Sequence, residues 1–199
     1  MNPKQIGASY DQIADEWRSD EFDRKNGIAQ HERAIAFLEQ KNWALDIGCG
    51  SSGRFVDLLV GYGFHVEGVD ISERMIDMAR ERHPEITFYH DDICSWDFPR
   101  KYDFVTAWDS IWHLPLKEQE RTLKKICGGL ADGGVLILTT GGLDSSEEKI
   151  DSFMGPELYY STLGIQKTLE VLLGSGCICR HLEYDQYPES HLYIIAQKT

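Results

Sequence analysis

Short apolar runs recur along the middle of the chain and are separated by amphipathic segments of helical length. Such runs are typical of strands buried on both faces of a parallel sheet, where polar positions do not alternate with apolar ones. The apolar runs therefore predict a set of buried strands. We place them at residues 43–47, 64–70, 86–90, 102–107 and 135–140.

The segments between the strands carry apolar residues three and four positions apart, as in a helix that packs on one face. Phe55, Leu58 and Leu59 show this spacing after the first strand. Ser72 is a suitable N-cap for the next helix, and Pro115 is suited to the start of a later one. Alternating strands and helices predict an α/β fold. The helices are expected at 52–62, 72–82, 115–129 and 165–173.

The two ends of the chain depart from this alternation. Two amphipathic helices are predicted before the first strand, at 10–17 and 26–40, with a charged connector at 18–25. After the last helix, strands at 177–187 and 191–197 are predicted to form an antiparallel hairpin. The sheet is therefore expected to end in two strands that do not follow the parallel pattern.

The length of the chain favours a single domain, residues 1–199, because it supplies one sizeable core and little more. Residues 1–40 are expected to form a helical leader that acts as a lid. The polar stretch at 141–155 is too long for a simple connection, and loops of that length are commonly functional. With the strip at 157–162 it makes a substrate-side insertion at 141–162.

A glycine-rich turn follows the first strand. Gly48, Gly50 and Gly53 let the backbone turn sharply and approach a ligand without interference from a Cβ atom. The second strand ends at Asp70, about 20 residues later, where a carboxylate can accept hydrogen bonds from the ribose hydroxyls of an adenosine. NAD and S-adenosylmethionine both carry an adenosine, so this pattern alone leaves both cofactors open.

Five motifs, taken in order, resemble those of class I S-adenosylmethionine-dependent methyltransferases over nearly the whole chain. They are Leu45–Gly53 (LDIGCGSSG), Gly68–Ser72, Asp91–Ile93, Tyr102–Ser110 and Leu130–Ile137. The resemblance implies a three-layer, Rossmann-like α/β fold with helices on both faces of a seven-stranded sheet. The implied strand order is 3-2-1-4-5-7-6, with strand 7 antiparallel. It also favours S-adenosylmethionine over NAD, because a usual dinucleotide domain lacks the antiparallel ending.

The resemblance assigns a cofactor site. Asp70 is expected to bind the ribose, and Asp92 with the backbone of Ile93 to bind the adenine, with Asp91 as the alternative to Asp92. Met75 is expected either to reach the adenine or to pack in the core. The expected cofactor contacts are Asp46, Gly48, Cys49, Gly50, Asp70, Ile71, Met75, Asp92, Ile93 and Trp108.

The tip of the fourth strand is the candidate for chemistry, because ligands bind at the carboxyl ends of strands in an open α/β sheet. Asp109 and His113 are candidate catalytic residues, since a carboxylate and a group that titrates near neutral pH can hold an acceptor and take its proton. A structural hydrogen bond is the alternative role for His113. The candidate substrate residues, for which plain packing is the alternative, are Tyr10, Trp17, Trp112, Tyr159 and Tyr160.

Net charge and cysteine content limit the kinds of partner, compartment and metal site that are expected. The formal net charge of −13, from 20 Lys and Arg against 33 Asp and Glu, argues against a nucleic-acid partner. Five scattered cysteines, with no signal peptide or long apolar segment, predict a reduced, cytoplasmic protein without membrane contact. Cys177 and Cys179 lack the spacing of a metal or redox pair, and no metal is expected.

The expected function is therefore methyl transfer from S-adenosylmethionine to an O or N nucleophile of a small molecule, by in-line displacement. The sequence Trp108-Asp-Ser-Ile stands where an Asn/Asp-Pro-Pro-aromatic motif would favour methylation of amides or base amines, so such acceptors are not favoured. Two alternatives remain. One is a non-catalytic protein that binds S-adenosylmethionine or S-adenosylhomocysteine, and the other, less favoured, is an NAD-dependent oxidoreductase.

Overall fold

The computed structural model describes residues 1–19 and 21–199. The strands are β1 (Trp43–Ile47), β2 (His65–Asp70), β3 (Thr87–His90), β4 (Tyr102–Ala107), β5 (Leu130–Gly141), β6 (Glu147–Asp151), β7 (Leu158–Thr162), β8 (Cys177–Tyr184) and β9 (His191–Lys198). The helices are α1 (Pro3–Ile13), α2 (Ile28–Ile35), α3 (Arg54–Gly61), α4 (Glu73–Arg82), α5 (Leu116–Gly129) and α6 (Ile165–Gly174), with 3₁₀ helices at Ala14–Arg18 and Ile111–His113.

The main sheet has seven strands in the order β3-β2-β1-β4-β5-β9-β8. β1 to β5 are parallel to one another, and β9 is antiparallel to both of its neighbours. With β8 and β9 as the sixth and seventh strands of the predicted sheet, the predicted order and the antiparallel strand are confirmed.

The core lies on both faces of this sheet. In β1, Leu45 and Ile47 pack on the side of α5 and α6, while Ala44 packs on the side of α2, α3 and α4. Successive side chains of a strand point to opposite faces, so a buried strand must be apolar on both. The near-continuous apolar runs of the sequence therefore correspond to a three-layer arrangement.

The prediction of a loop at 141–155 is wrong in part. Residues 147–151 form β6, which pairs antiparallel with β7 and places Lys149 opposite Tyr160 in a separate two-stranded sheet. Almost all of β6 is exposed. No buried face imposes an alternation on the sequence, and a strand of this kind carries no apolar pattern by which to recognise it.

The leader differs from its prediction in its boundaries. The first helix begins at Pro3, where Asn2 and Gln5 form a reciprocal capping box, and it continues as the 3₁₀ helix rather than starting near Tyr10. The second helix begins after Gly27 and ends at Ile35. Asp20, in the predicted connector, lies outside the described residues.

Two contacts hold the leader over the carboxyl edge of the sheet. Ser72 Oγ at the start of α4 donates to Asp11 Oδ1 across 2.6 Å, and Ser9 Oγ donates to the carbonyl of Glu157 just before β7 across 2.8 Å. α1 thus bridges α4 and the β6–β7 hairpin. Within the described chain, no helix combines the length and apolar character that a membrane span needs.

Candidate active site

A cavity of about 900 Å³ lies at the carboxyl ends of β1, β2 and β4. Further lining residues come from α1, from the described part of the segment at 19–26, from the β6–β7 turn and from the connection between β8 and β9. This is the edge at which open α/β sheets bind ligands. The leader and the hairpin thus add walls to the carboxyl edge of the sheet.

Two glycines of the turn after β1 have different roles. A Cβ atom on Gly48 would lie 2.3 Å from Cβ of Ser110, so this glycine lets the turn pack against the segment that follows β4. A Cβ atom on Gly50 would meet only Met75 Sδ, at 4.0 Å, so the backbone at Gly50 borders open space. Gly48 is thus required by protein packing, while the room beside Gly50 is available to a ligand.

Asp70 ends β2 with its carboxylate fixed by backbone groups. Oδ2 accepts from the N–H of Gly50 and Oδ1 accepts from the N–H of Ser72, each across 2.9 Å. Burial raises the pKa of Asp70, and these backbone donors oppose that rise. Each oxygen retains a lone pair, so the oriented carboxylate can still accept hydrogen bonds from a pair of hydroxyl groups.

The acids after β3 also line the cavity. Asp91 Oδ1 accepts from the N–H of Asp92 across 2.8 Å, and Asp92 Oδ1 accepts from the N–H of Cys94 across 2.9 Å. Ile93 and Met75 line the same region, and Met75 is nearly fully buried. This end of the cavity combines apolar surface with oriented carboxylates, which suits a flat heterocycle that carries an amino group.

Two predicted site residues do not line the cavity. Asp46 is 3% exposed and points to the α3 side of the sheet, because strand alternation sends it away from Leu45 and Ile47. Burial raises the pKa of Asp46 to about 7, Arg54 opposes the rise and Asp70 adds to it. Tyr159 alternates in the same way with Tyr160, which does line the cavity.

Tyr159 is instead part of the packing beneath the site. Its hydroxyl donates to Glu148 Oε2 across 2.5 Å and accepts from the N–H of Leu116 across 3.0 Å. Its carbonyl accepts from Nδ1 of His113 across 2.8 Å. Tyr159 therefore ties the β6–β7 hairpin to the segment that carries His113.

His113 is buried, and its two ring nitrogens have different partners. A carbonyl can only accept, so Nδ1 carries the proton, and Nε2 accepts from the Tyr10 hydroxyl across 2.6 Å and from Trp112 Nε1 across 3.0 Å. Burial lowers the pKa of His113 to about 4, although the Tyr159 carbonyl and nearby carboxylates oppose this. The imidazole is neutral, and its lone pair already faces two donors.

Asp109 follows β4 in a left-handed conformation, φ 52°, which few non-glycine residues adopt. Its N–H donates to Thr139 Oγ1 across 2.7 Å, and its Oδ1 accepts from His191 Nε2 across 3.0 Å. His191 Nδ1 lies 2.5 Å from Asp185 Oδ1. A histidine bridging two carboxylates thus fixes Asp109 at the cavity wall.

The charge state of His191 follows from these partners. Burial lowers its pKa, but the hydrogen bonds and charges of Asp109 and Asp185 outweigh burial and raise the pKa of His191 above its ordinary value. The imidazolium can donate from both nitrogens at once. His191 lines the cavity and was not predicted from the sequence.

Aromatic rings and carboxylates dominate the rest of the wall. The rings of Tyr10 and Trp17 meet edge to face at 5.6 Å, and those of His113 and Tyr160 lie 4.7 Å apart. Among the described lining residues, Arg54 is the only Lys or Arg. The carboxylates outside the Asp70 and Asp91–Asp92 region are Glu16, Glu21, Asp23, Asp109 and Glu189.

The structure brings most of the predicted site residues to this one cavity. Arg54, His191 and Phe22 also line it without having been predicted. The predicted residues that line it are Tyr10, Trp17, Gly48, Cys49, Gly50, Asp70, Ile71, Met75, Asp92, Ile93, Trp108, Asp109, Trp112, His113 and Tyr160.

Comparison with known sequences matches the central part of the chain. A family profile described as Methyltransferase domain matches residues 44–134. A phosphoethanolamine N-methyltransferase of Plasmodium falciparum is 31% identical over 120 residues, which cover 58% of this chain and 45% of that protein. A ubiquinone biosynthesis O-methyltransferase of Coxiella burnetii is 25% identical over 143 residues, which cover 67% of this chain and 60% of that protein. The chain spans less than two thirds of the length of these relatives.

Comparison with solved structures extends the similarity to the whole fold. The N-methyltransferase NodS of Bradyrhizobium japonicum, solved in complex with S-adenosyl-L-homocysteine, matches 100% of this chain and 99% of its own with a TM-score of 0.74. The two sequences are 16% identical. At that identity, the similarity establishes the fold alone.

Proposed function

We propose that this chain is a class I S-adenosylmethionine-dependent methyltransferase, which transfers the methyl group of S-adenosylmethionine to a small-molecule nucleophile, most favourably an amine nitrogen. One observation carries the proposal: oriented carboxylates and open backbone line a cavity whose remaining wall is formed by aromatic rings and further acids. The first set of groups suits an adenosine and the second suits a cationic or amine acceptor.

The residues present fit the cofactor. Asp70 offers both carboxylate oxygens to the ribose hydroxyls, and the open space beside Gly50 admits a ligand against the backbone. Asp92 and Ile93 would hold the adenine edge, with Met75 packed beside it. When bound, the cofactor supplies an electrophilic methyl group on a sulfonium centre.

The other proposed cofactor residues complete the pocket by shape. Cys49, Ile71 and Trp108 line it, and Trp108 also carries a buried indole N–H without a hydrogen-bond partner among the described residues. Asp46 lies outside the cavity lining, and its charge interacts with those of Arg54 and Asp70. The protein contributes mainly alignment, which lowers a barrier by about 7–11 kcal/mol in favourable cases.

The aromatic and acidic part of the cavity wall favours an amine acceptor over a hydroxyl acceptor. Tyr10, Trp17, Trp112 and Tyr160 present aromatic surface, which attracts ammonium groups by cation–π interaction. A wall with several carboxylates strengthens that attraction. An N-methyltransferase among the sequence relatives supports the same choice, and an O-methyltransferase among them keeps oxygen as the second candidate.

Asp109 is the residue we assign to the acceptor's proton. Its carboxylate lies at the cavity wall and is held by His191 from one side. An acceptor ammonium would donate to Asp109, lose its proton there, and attack with the freed lone pair, a contribution of about 10²–10⁴ in rate. His113 would hold the Tyr10 hydroxyl in place, since its lone pair is already occupied.

The experiment is a release assay for S-adenosylhomocysteine with matched pairs of small amines and alcohols that share a carbon skeleton. We expect amines to release the product faster than their alcohols, and Asp109→Asn to lower that rate by about 100-fold or more. Asp132→Asn is the control, because Asp132 is exposed at the opposite edge of the sheet. Release with alcohols alone would make oxygen the acceptor. Cofactor binding without release for either class would favour a non-catalytic binding protein.

A further inference from the structure

Arg54 is a buried cation in the wall of the cavity. It is the first residue of α3, directly after the glycine-rich turn, and is 9% exposed. Its guanidinium lies over the ring of Phe22 at 4.9 Å and over that of Phe55 at 4.5 Å. The two rings flank the guanidinium at the cavity wall, but they give its N–H groups no carboxylate or carbonyl acceptor.

Within the described part of the chain, the Arg54 guanidinium donates no hydrogen bond. Nε is buried and has no partner among residues 1–19 and 21–199. The nearest carboxylate oxygen, Asp109 Oδ2, lies 3.9 Å from Nη2, beyond hydrogen-bond distance. A guanidinium has five donors, and leaving a buried donor unpaired is costly. Asp109 is close enough for an ion pair with Arg54, but it accepts no hydrogen bond from the guanidinium.

We propose that Arg54 binds an oxyanion of a ligand in the cavity, through the paired N–H donors that suit carboxylate and phosphate groups. The proposal rests on the proposed function, because that function supplies two ligands which can carry such a group. One is the cofactor, whose amino-acid part ends in an α-carboxylate, and the other is an acceptor that bears a carboxylate or phosphate.

The position of Arg54 puts the cofactor first. Arg54 directly follows the turn that carries Gly50. A ligand that is held by Asp70 and lies along this turn would therefore reach the first residue of α3 with the end opposite its ribose. No second Lys or Arg is present among the described lining residues to take an oxyanion instead. Burial lowers the pKa of Arg54, and Asp109, Asp46 and Asp23 oppose this, so the guanidinium stays charged.

The test compares calorimetric titrations of S-adenosylhomocysteine with its decarboxylated analogue, which keeps the adenosine, the thioether and the amine. We expect the wild-type protein to bind S-adenosylhomocysteine about 10–100-fold more tightly than the analogue. In Arg54→Gln this ratio should fall close to one, while the affinity for the analogue changes little. Arg54→Lys should restore part of the ratio.

Two controls guard against a folding defect. The analogue itself reports an intact adenosine site, and thermal melting reports the fold of each variant. Arg180→Gln is the matched surface substitution, since Arg180 lies exposed on β8 and contacts Gln197. It should leave both affinities at the wild-type values.

The second arm assigns the source of the oxyanion. Acetate and inorganic phosphate are titrated into the protein saturated with S-adenosylhomocysteine. If Arg54 serves the acceptor, one of these anions binds the wild type and not Arg54→Gln, and S-adenosylhomocysteine binds both proteins equally. If S-adenosylhomocysteine binding is independent of Arg54 and neither anion binds, the inference is overturned and the proposed function stands. If the folded wild type binds neither sulfur compound, both are overturned.

Discussion

His191 donates from Nε2 to Oδ1 of Asp109 across 3.0 Å, although 82 residues separate the two in the sequence. The antiparallel pairing of β9 with β5 makes the contact, because it places His191 opposite Gly141 at the carboxyl end of β5. The adjacent β4 ends at the same edge, just before Asp109. The last strand of the fold thereby delivers a cation to the carboxylate we assign to proton removal.

The pKa of His191 should lie above that of a free histidine. Asp109 and Asp185 face its two nitrogens and favour the imidazolium, despite the opposing effect of burial. A titration of the imidazole ring signals by NMR measures this pKa directly. Asp185→Asn should lower it, because one of the two carboxylates is then neutral. A wild-type His191 that titrates at or below about 6.5 would contradict this account.

His113 should make stability depend on pH in the acid range. Its folded-state pKa is about 4, below the ordinary histidine value, so between these two values the unfolded chain binds more protons than the folded one. Stability therefore rises with pH across that window and falls on acidification. His113→Gln removes this contribution, and the stability difference between the proteins should change by about 3 kcal/mol from pH 7 to pH 4.

Urea denaturation of the wild type and His113→Gln at several pH values is the measurement. The comparison matters because burial also lowers the pKa of His31 to about 3 and raises that of Asp46 to about 7, with opposite effects on stability. Both effects cancel in the difference between the two proteins. A difference that stays constant with pH would mean that His113 is not held neutral.

Gly48→Ala and Gly50→Ala should separate folding from binding. Both positions have positive φ, 69° and 54°, which costs alanine about 1 kcal/mol at each. Only at Gly48 does the added methyl collide with Ser110, so Gly48→Ala should lose a further 1–3 kcal/mol or so of stability. Gly50→Ala should lose little stability beyond the cost of its positive φ, but it should bind S-adenosylhomocysteine more weakly than the wild type does. Denaturation and titration of both variants check this, and equal stability losses would count against it.

Asp70→Asn should weaken cofactor binding, and it should also lose stability, because an amide can accept from only one of the two backbone N–H groups of Gly50 and Ser72. The carboxylate we assign to the ribose would become an amide that offers a single acceptor oxygen. Losing hydrogen bonds to a charged group costs about 1.5–3 kcal/mol, or roughly 10–200-fold in Kd. Asp77→Asn is the control, since Asp77 is exposed on α4, does not line the cavity and forms an ion pair with Arg80. Unchanged affinity in Asp70→Asn would remove Asp70 from the site.

The parallel strands were predictable because each buried strand must be apolar on both faces, whereas their order was implied by the resemblance to a known family. The strand at 147–151 was not predictable, because an exposed strand has no such constraint. Its place in the fold is set by pairing with β7 and by contacts such as Tyr159 with Glu148, which lie outside any local pattern. Strand alternation also explains why Asp46 and Tyr159, each adjacent to a lining residue, face away from the cavity.

The lining residues that were not predicted carry weaker signals in the sequence. One of them, His191, could nevertheless have been predicted. His191 opens the final strand, and an antiparallel last strand must begin at the edge where the parallel strands end. A polar residue at that position was therefore a candidate for the site. Arg54 gave no such signal, because an arginine at the start of a helix is ordinarily solvated, and only the rings of Phe22 and Phe55 reveal its burial.

The cavity is assigned to S-adenosylmethionine, and a side-by-side calorimetric titration examines this assignment without any methyl acceptor. The purified protein is titrated with S-adenosylmethionine, S-adenosylhomocysteine and NADH, with Asp70→Asn as a check that binding occurs in this cavity. We predict binding of the two sulfur compounds, weakened in Asp70→Asn, and no binding of NADH. Binding of NADH alone, or binding of none of the three compounds by the folded protein, would refute the assignment of this cavity to S-adenosylmethionine.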